Sequence, residues 1–183
     1  MSAQPLGSQF RLEPLKRKHM RDVLTIERAV YVRPWSAALF FSEISQKKTR
    51  YYLAAFDDHT LVGYAGLMVH ADDGHVTNIA VHPDHQGRGI GARLLFELVL
   101  EARSRGAHQV TLEVRVANWP AQRLYSWFGF RPLGIRRNYY AETGEDALVM
   151  VLKDAQDEET GHRLERIAAQ LNATGLKPPS TDR

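Results

Sequence analysis

Between residues 79 and 106 the chain passes from Ile-Ala-Val through the polar, glycine-rich HPDHQGRGIG into ARLLFELVLEARSRG. The first piece reads as a strand end and the last as a helix stopped by Gly106, so the loop feeds a strand into a helix N-terminus. Unpaired backbone N–H groups and partial positive charge gather at such an end and favour a phosphate. The loop lacks Gly-Lys-Ser/Thr, which argues against a nucleotide triphosphatase, and its Gly-x-Gly-x-Gly spacing is not the dinucleotide fingerprint. Taken alone, a glycine turn before a helix is structural more often than ligand-binding.

The flanking segments alternate in period. Residues 8–15 read as a strand, 19–30 as a helix with an apolar stripe of Met20, Val23, Leu24 and Ile26, and 37–46 as a second helix behind a Ser36 cap. Residues 50–56 and 61–69 form a hairpin pattern, and 75–81 adds a strand after an Asp72-Asp73-Gly74 turn. Beyond the glycine loop come an alternating strand at 108–116 and a short helix capped by Asn118 with Pro120 in its first turn. Strands at 130–139 and 147–152 follow, separated by a turn at Glu142 to Asp146. This order predicts a mixed α/β domain in which 75–81 and 108–116 are parallel, because a helical crossover joins them.

With 183 residues, 44% of them hydrophobic, the chain suits one compact domain, and with no cysteine it offers no disulfide, thiolate ligand or cysteine nucleophile. A formal charge of +3 is weak evidence for nucleic-acid binding. Arg131, Arg136 and Arg137 beside Tyr139 and Tyr140 read better as a solvated strand face, and no stable nucleic-acid contact is expected. Clusters at His70, Asp72, Asp73 and His75, and at His82, Asp84 and His85, match no helical metal-ligand pair, so no metal is expected. No apolar run approaches the ~18 residues of a membrane span, and no signal segment opens the chain, which reads as soluble and cytoplasmic. After Lys153 the composition turns polar, with one helix carried by Leu164, Ile167, Ala168 and Leu171 and a disordered Lys-Pro-Pro-Ser tail.

The Gln86-x-x-Gly89-x-Gly91 signature after Ile79-Ala80-Val81 resembles the acetyl-CoA motif of the GCN-five-related N-acetyltransferases, the GNAT superfamily. NIAVHPDHQGRGIGARLL, LEVRVANWPAQRLYSWFGF, RRNYY and EDALVM resemble, in that order, the RimI-type ribosomal-protein-alanine N-acetyltransferases. The resemblance covers 10–153. It implies a single GNAT domain there, a nine-residue segment before it (1–9) and a C-terminal extension at 154–183. The implied fold is a mixed, mostly antiparallel sheet with a splayed central parallel pair, flanked by helices.

By the same resemblance acetyl-CoA lies in the splay. Backbone at Ile79, Ala80 and Val81 pairs with the pantetheine arm, and Gln86 belongs to the motif. The pyrophosphate sits on N–H groups of Gly87, Arg88, Gly89, Ile90, Gly91 and Ala92, and Asn118 bonds the pantetheine. Glu113 is the implied general base and Tyr125 the implied general acid. Each choice has an ordinary alternative, since Leu112, Val114 and Val116 could leave Glu113 on a solvent face and Tyr125 lies on an apolar helical stripe. The chemistry favours an α-amine: with a pKa near 8 it is about 10% neutral at pH 7, whereas lysine is well under 0.1% neutral.

The implied acceptor is the N-terminal alanine of small-subunit ribosomal protein eighteen. Trp35, Asp73, Tyr139, Glu142, Glu145 and Asp146 are the candidates for its groove, though each is also an ordinary turn or surface residue. Arg33, Asp73, Trp119-Pro120 and residues 154–183 depart from the family pattern, and all lie on the acceptor side or beyond the domain. A small-amine acetyltransferase and a non-catalytic acetyl-CoA sensor are the competing expectations.

Overall fold

The computed structural model describes residues 10–174, with one seven-stranded sheet. Its strands are β1 (Arg11–Pro14), β2 (Arg50–Asp57), β3 (Thr60–His70), β4 (Asp73–Val81), β5 (Gln109–Arg115), β6 (Arg131–Tyr140) and β7 (Glu145–Leu152). They lie in the order β1-β2-β3-β4-β5-β7-β6, antiparallel throughout except for β4 against β5. The helices are α1 (Met20–Val30), α2 (Ala37–Ser45), α3 (Ile90–Ser104), α4 (Trp119–Trp127) and α5 (Glu158–Thr174).

Alternation along β2 divides the core. Tyr52 and Ala54 enter one apolar cluster with Val23, Ile26 and Phe40 of α1 and α2, while Leu53 and Ala55 enter another with Leu94, Leu98 and Val99 of α3. Both faces of this half of the sheet are therefore covered, which is why YYLAAF, residues 51–56, is apolar without interruption. Leu164, Ile167 and Leu171 of α5 join the α3 side. The Lys-Pro-Pro-Ser tail and residues 1–9 lie outside the described residues.

The helical crossover does produce a parallel pair, but a short one: Asp73, Gly74 and His75 pair with Gln109, Val110 and Thr111, and the pairing stops there. The register of β3 against β4 slips between Gly66 and Leu67, which face Asn78 and Val76, so Thr77 is the extra residue of a bulge. Such a bulge bends its strand. Here Tyr52 fixes the bend, its hydroxyl sharing a hydrogen bond with Thr77 Oγ1 at 3.0 Å. Gly66 makes room for this contact, since a Cβ there would meet the Tyr52 ring and come within 2.5 Å of Thr77 Oγ1. Strand β5 meanwhile stays paired to β7 from Val110 to Arg115. The facing edges of 76–81 and 112–115 thus part into a wedge.

Three boundaries differ from the sequence reading. Asp73 and Gly74 belong to β4 rather than to a turn, because Ala71 takes a left-handed conformation (φ 52°) that tightens the reversal and lets His70 pair with Asp73. Strand β7 starts at Glu145, before the expected 147, with Gly144 (φ 70°) closing the turn. Within the glycine loop, Pro83–His85 forms one three-ten turn.

Candidate active site

The glycine loop presents backbone rather than side chains. Gly89, left-handed at φ 82°, caps α3, and Arg93 N–H to Gly89 O (3.0 Å) is the first bond of the helix. The amides before it face outward from the helix end. Gln86 Nε2 donates to Val81 O at 3.1 Å and so anchors the loop to the end of β4. The Arg88 guanidinium turns to Asp57 (2.8 Å) and His85 (2.9 Å), over the Phe10 ring. At Gly91 a Cβ would meet Leu124 and Val81 at an ordinary 3.7 and 3.9 Å. Internal packing does not demand glycine there, and its absence of a side chain keeps the helix end uncovered.

The wedge between β4 and β5 opens into a cleft of about 320 Å³, lined among others by Glu113, Tyr125, Asn118 and Ile79. Glu113 lies on β5, whose Val110, Leu112 and Val114 pack toward α3, so Glu113 takes the opposite face. Its carboxylate is only 9% exposed and meets His75 Nε2 at 3.2 Å and Arg136 Nη1 at 3.3 Å. The hydrogen bond from His75, followed by the charges of His75 and Arg136, outweighs burial and holds Glu113 below the usual carboxylate range. Tyr125 of α4 is buried, and burial reinforced by nearby Tyr140 pushes its phenol well above the ordinary value, so it keeps its proton. Asn118 caps α4 through Oδ1, which accepts from Ala121 N–H at 3.2 Å.

Of the acceptor-side candidates, Trp35, Tyr139 and Glu142 line this cleft. Asp73, Glu145 and Asp146 do not. Asp73 accepts from Gln109 Nε2 (2.7 Å) at the closed end of the parallel pair. Arg115, stacked over the Tyr140 ring, holds both Glu142 (2.8 Å) and Glu145 (2.9 Å). Asp146 binds Arg137 (3.0 Å) and the backbone N–H of left-handed Asn138 (2.9 Å). Most of the acidity expected to attract a basic peptide is therefore already neutralised within the protein.

Two cleft residues, Glu27 and Tyr31, escaped the sequence reading, and a third, His75, enters it only as a rejected metal ligand. Glu27 of α1 is buried, accepting a hydrogen bond from the Tyr64 hydroxyl and one from Trp35 N–H at 2.7 Å. Burial, opposed by the Trp35 amide, raises its carboxyl to about 7. A signal existed: Glu27 continues the spacing of Met20 and Val23 on the buried face of α1. Tyr31, the residue after α1, donates to Ile79 O at 3.3 Å. His75 meets Glu113 only through the parallel register, for which no local pattern exists. Among the described residues no group of three or more His, Asp or Glu could hold a metal ion, and no helix is long and apolar enough to cross a membrane.

The acetyltransferase (GNAT) family profile matches residues 20–130, spanning the helical pair, the wedge, the glycine loop and α4. The chain belongs to this family. A GNAT protein of Salmonella typhimurium, the [ribosomal protein bS18]-alanine N-acetyltransferase, is 40% identical over 129 residues, 69% of this chain and 86% of its own length. The N-alpha-acetyltransferase RimI of Mycobacterium tuberculosis is 42% identical over 121 residues, 64% of this chain and 74% of its own. The crystal structure of the ribosomal-protein-S18-alanine N-acetyltransferase from Escherichia coli superposes with a TM-score of 0.73 at 32% identity, covering 82% of this chain and 97% of that one. The GNAT chain described here is thus an N-acetyltransferase with the splayed α/β sheet that its sequence predicts.

Proposed function

We propose that this chain acetylates the N-terminal α-amine of a protein, with the N-terminal alanine of ribosomal protein bS18 as its acceptor. The observation that carries the reading is the placement of an ionised, nearly buried Glu113 in the wedge where β4 leaves β5. The names and 40% identity of relatives such as the Salmonella enzyme support the choice of acceptor.

The residues present fit acetyl-CoA. The edge of 76–81 that has left β5 offers backbone groups to an extended arm, with Ile79, Ala80 and Val81 as the pairing segment. The amides of Gly87, Arg88, Gly89, Ile90, Gly91 and Ala92 stand at the helix end where a phosphate is favoured, with Gln86 bracing the loop. Asn118, whose oxygen caps α4, has its Nδ2 donors for the same ligand. When bound, acetyl-CoA supplies the activated acetyl thioester.

Glu113 takes a proton from the acceptor ammonium through water. A carboxylate held below its usual range is a weak base, which suits an α-amine that is already about 10% neutral at pH 7 and suits a lysine poorly. Tyr125, protonated throughout, delivers its Oη proton to the departing sulfur. Trp35, Tyr139 and Glu142 form the acceptor's wall. The domain so defined is 10–153, with 154–183 as an extension, and its place is the cytoplasm, where ribosomal proteins are made.

Peptides beginning with Ala, Ser, Gly or Met, incubated with acetyl-CoA beside a polyamine and an aminoglycoside, test this. Fastest turnover on the Ala peptide of bS18 supports the reading. Turnover confined to the small amines, or acetyl-CoA binding without transfer, refutes it.

A further inference from the structure

One guanidinium gathers the turn between β6 and β7 against the cleft. Val114 of β5 packs toward α3, so the alternation that turns Glu113 to the cleft turns Arg115 there as well. Arg115 is the last residue of β5 paired to β7, opposite Ala147, and its carbonyl accepts from Gln122 Nε2 of α4 at 3.1 Å. From this braced position Nη1 donates to Thr143 Oγ1 (2.8 Å) and Glu145 Oε1 (2.9 Å), and Nη2 donates to Glu142 Oε1 (2.8 Å). The guanidinium carbon stands 3.9 Å from the centre of the Tyr140 ring. Arginine alone combines such a fork of donors with a flat cation that stacks on an aromatic ring.

Charge on this wall comes out even. Glu142 and Glu145 stand against Arg115, and Arg33 of the α1–α2 connection, which also lines the cleft, acts on Glu142. Two carboxylates thus meet two guanidinium groups. Nearby, Arg136 meets Glu113 and Arg137 meets Asp146, one for one. The side chains of Arg115 and Glu142 are 23% and 21% exposed, so their charges are less screened than those of a fully exposed pair.

We propose that Arg115 is a positioning and specificity-determining residue. It holds the β6–β7 turn as a wall of the acceptor path and cancels the turn's charge, so that N-termini followed by basic, acidic or neutral residues are taken alike. This role rests on the cleft taking a protein N-terminus, as argued above. The first acceptor residue enters toward Glu113 and the next ones pass the wall, where an unbalanced charge would attract one sign and repel the other. Removing one partner exposes the other. Without Arg115 the turn sets two carboxylates against Arg33 alone, and without those carboxylates Arg115 and Arg33 stand unopposed.

The test uses two full-length variants of opposite charge, Arg115→Gln and the double variant Glu142→Gln/Glu145→Gln. Two peptides begin with Ala and differ only in carrying Lys or Glu at the second and third positions. Values of kcat/KM for each peptide, and the affinity for acetyl-CoA, are measured at low and at physiological salt. Wild type should turn over the two peptides within about threefold of each other. Arg115→Gln should favour the Lys peptide by at least about fivefold, the double variant should favour the Glu peptide by a similar factor, and both preferences should shrink as salt rises. Acetyl-CoA affinity should stay within about twofold of wild type in both. A merely structural loss slows the two peptides equally and cannot reverse sign between the variants. The double variant keeps Arg115 in place and decides the matter even where Arg115→Gln does not fold. Equal slowing on both peptides, or a wild-type preference above about threefold for either charge, overturns the role of Arg115 and leaves the acceptor reading intact. A wild type that acetylates neither peptide yet turns over small amines overturns both.

Discussion

Tyr64 of β3 donates its hydroxyl to Glu27 of α1 in a fully buried hydrogen bond that joins the sheet to the helix lining the acceptor side of the cleft. The other oxygen of Glu27 accepts from Trp35 N–H, so one carboxyl ties strand, helix and the α1–α2 connection together. Sites of this kind are sensitive to protonation, because a buried carboxylate lacks water and has only two donors in its place.

The folded-state value of Glu27, about 7, lies above the 4.5 of an unperturbed glutamate. The native state therefore binds more protons between those values, and the contribution of Glu27 is most favourable below about pH 4.5 and is lost as pH rises toward 7. At about 1.4 kcal/mol per pH unit this amounts to roughly 3 kcal/mol. Glu27→Gln retains an acceptor for Trp35 and a group for Tyr64 while removing the titration. Urea unfolding of both proteins at pH 5 and pH 8 should show the variant gaining stability relative to wild type at the higher pH. Parallel pH dependences would contradict the assignment.

Gly91→Ala separates ligand space from folding. A Cβ there meets only ordinary contacts, and alanine favours a helix over glycine by about 1 kcal/mol, so thermal stability should hold or rise. Affinity for acetyl-CoA should fall at least about tenfold, or 1.4 kcal/mol, when a methyl covers the helix end. Isothermal titration giving wild-type affinity would remove Gly91 from the phosphate site.

Gly66→Ala should do the opposite, acting through the fold. The new methyl collides with the Tyr52 ring and Thr77 Oγ1, so the bulge that opens the wedge must shift. A loss of about 1–3 kcal/mol, typical of overpacking, is expected in chemical unfolding, together with weaker acetyl-CoA binding. Unchanged stability and binding would show that Thr77 is not what parts the strands.

Legibility in the sequence followed the range of the interactions involved. The elements with strong local period were readable: α3 through Leu94, Leu95, Leu98 and Val99, β5 through its alternation, and the loop through Gly87 and Gly89, which take left-handed conformations. The parallel neighbours β4 and β5 followed from the crossover. What stayed hidden depended on register or on the third dimension. The bulge at Thr77 is made by Tyr52 and Gly66 from other strands, the His75–Glu113 contact needs the strand pairing, and the left-handed Ala71 is an uncommon choice for a residue with a Cβ. The acidic groove expected from Glu142, Glu145 and Asp146 looked open because Arg115 and Arg137, which neutralise them, are distant in sequence or point unpredictably.

Tyr125→Phe removes one hydroxyl from a ring that stays packed near Phe130. Stability should change by less than about 1.5 kcal/mol, the scale of one hydrogen bond, while kcat falls by about a hundredfold or more. Stopped-flow or steady-state assays returning wild-type kcat would assign protonation of the leaving sulfur to another group.

Delivery of acetyl to an α-amine at the Glu113 wedge is read directly from the position of the acetyl group on a product peptide. An Ala-starting peptide of bS18 sequence that also contains lysine, incubated with acetyl-CoA and wild-type or Glu113→Gln protein, is sequenced by fragment-ion mass spectrometry. Acetyl is expected on the N-terminal nitrogen alone, formed at least about a hundredfold more slowly by Glu113→Gln. Acetyl on the lysine side chains, or equal α-amine acetylation by the two proteins, would contradict it.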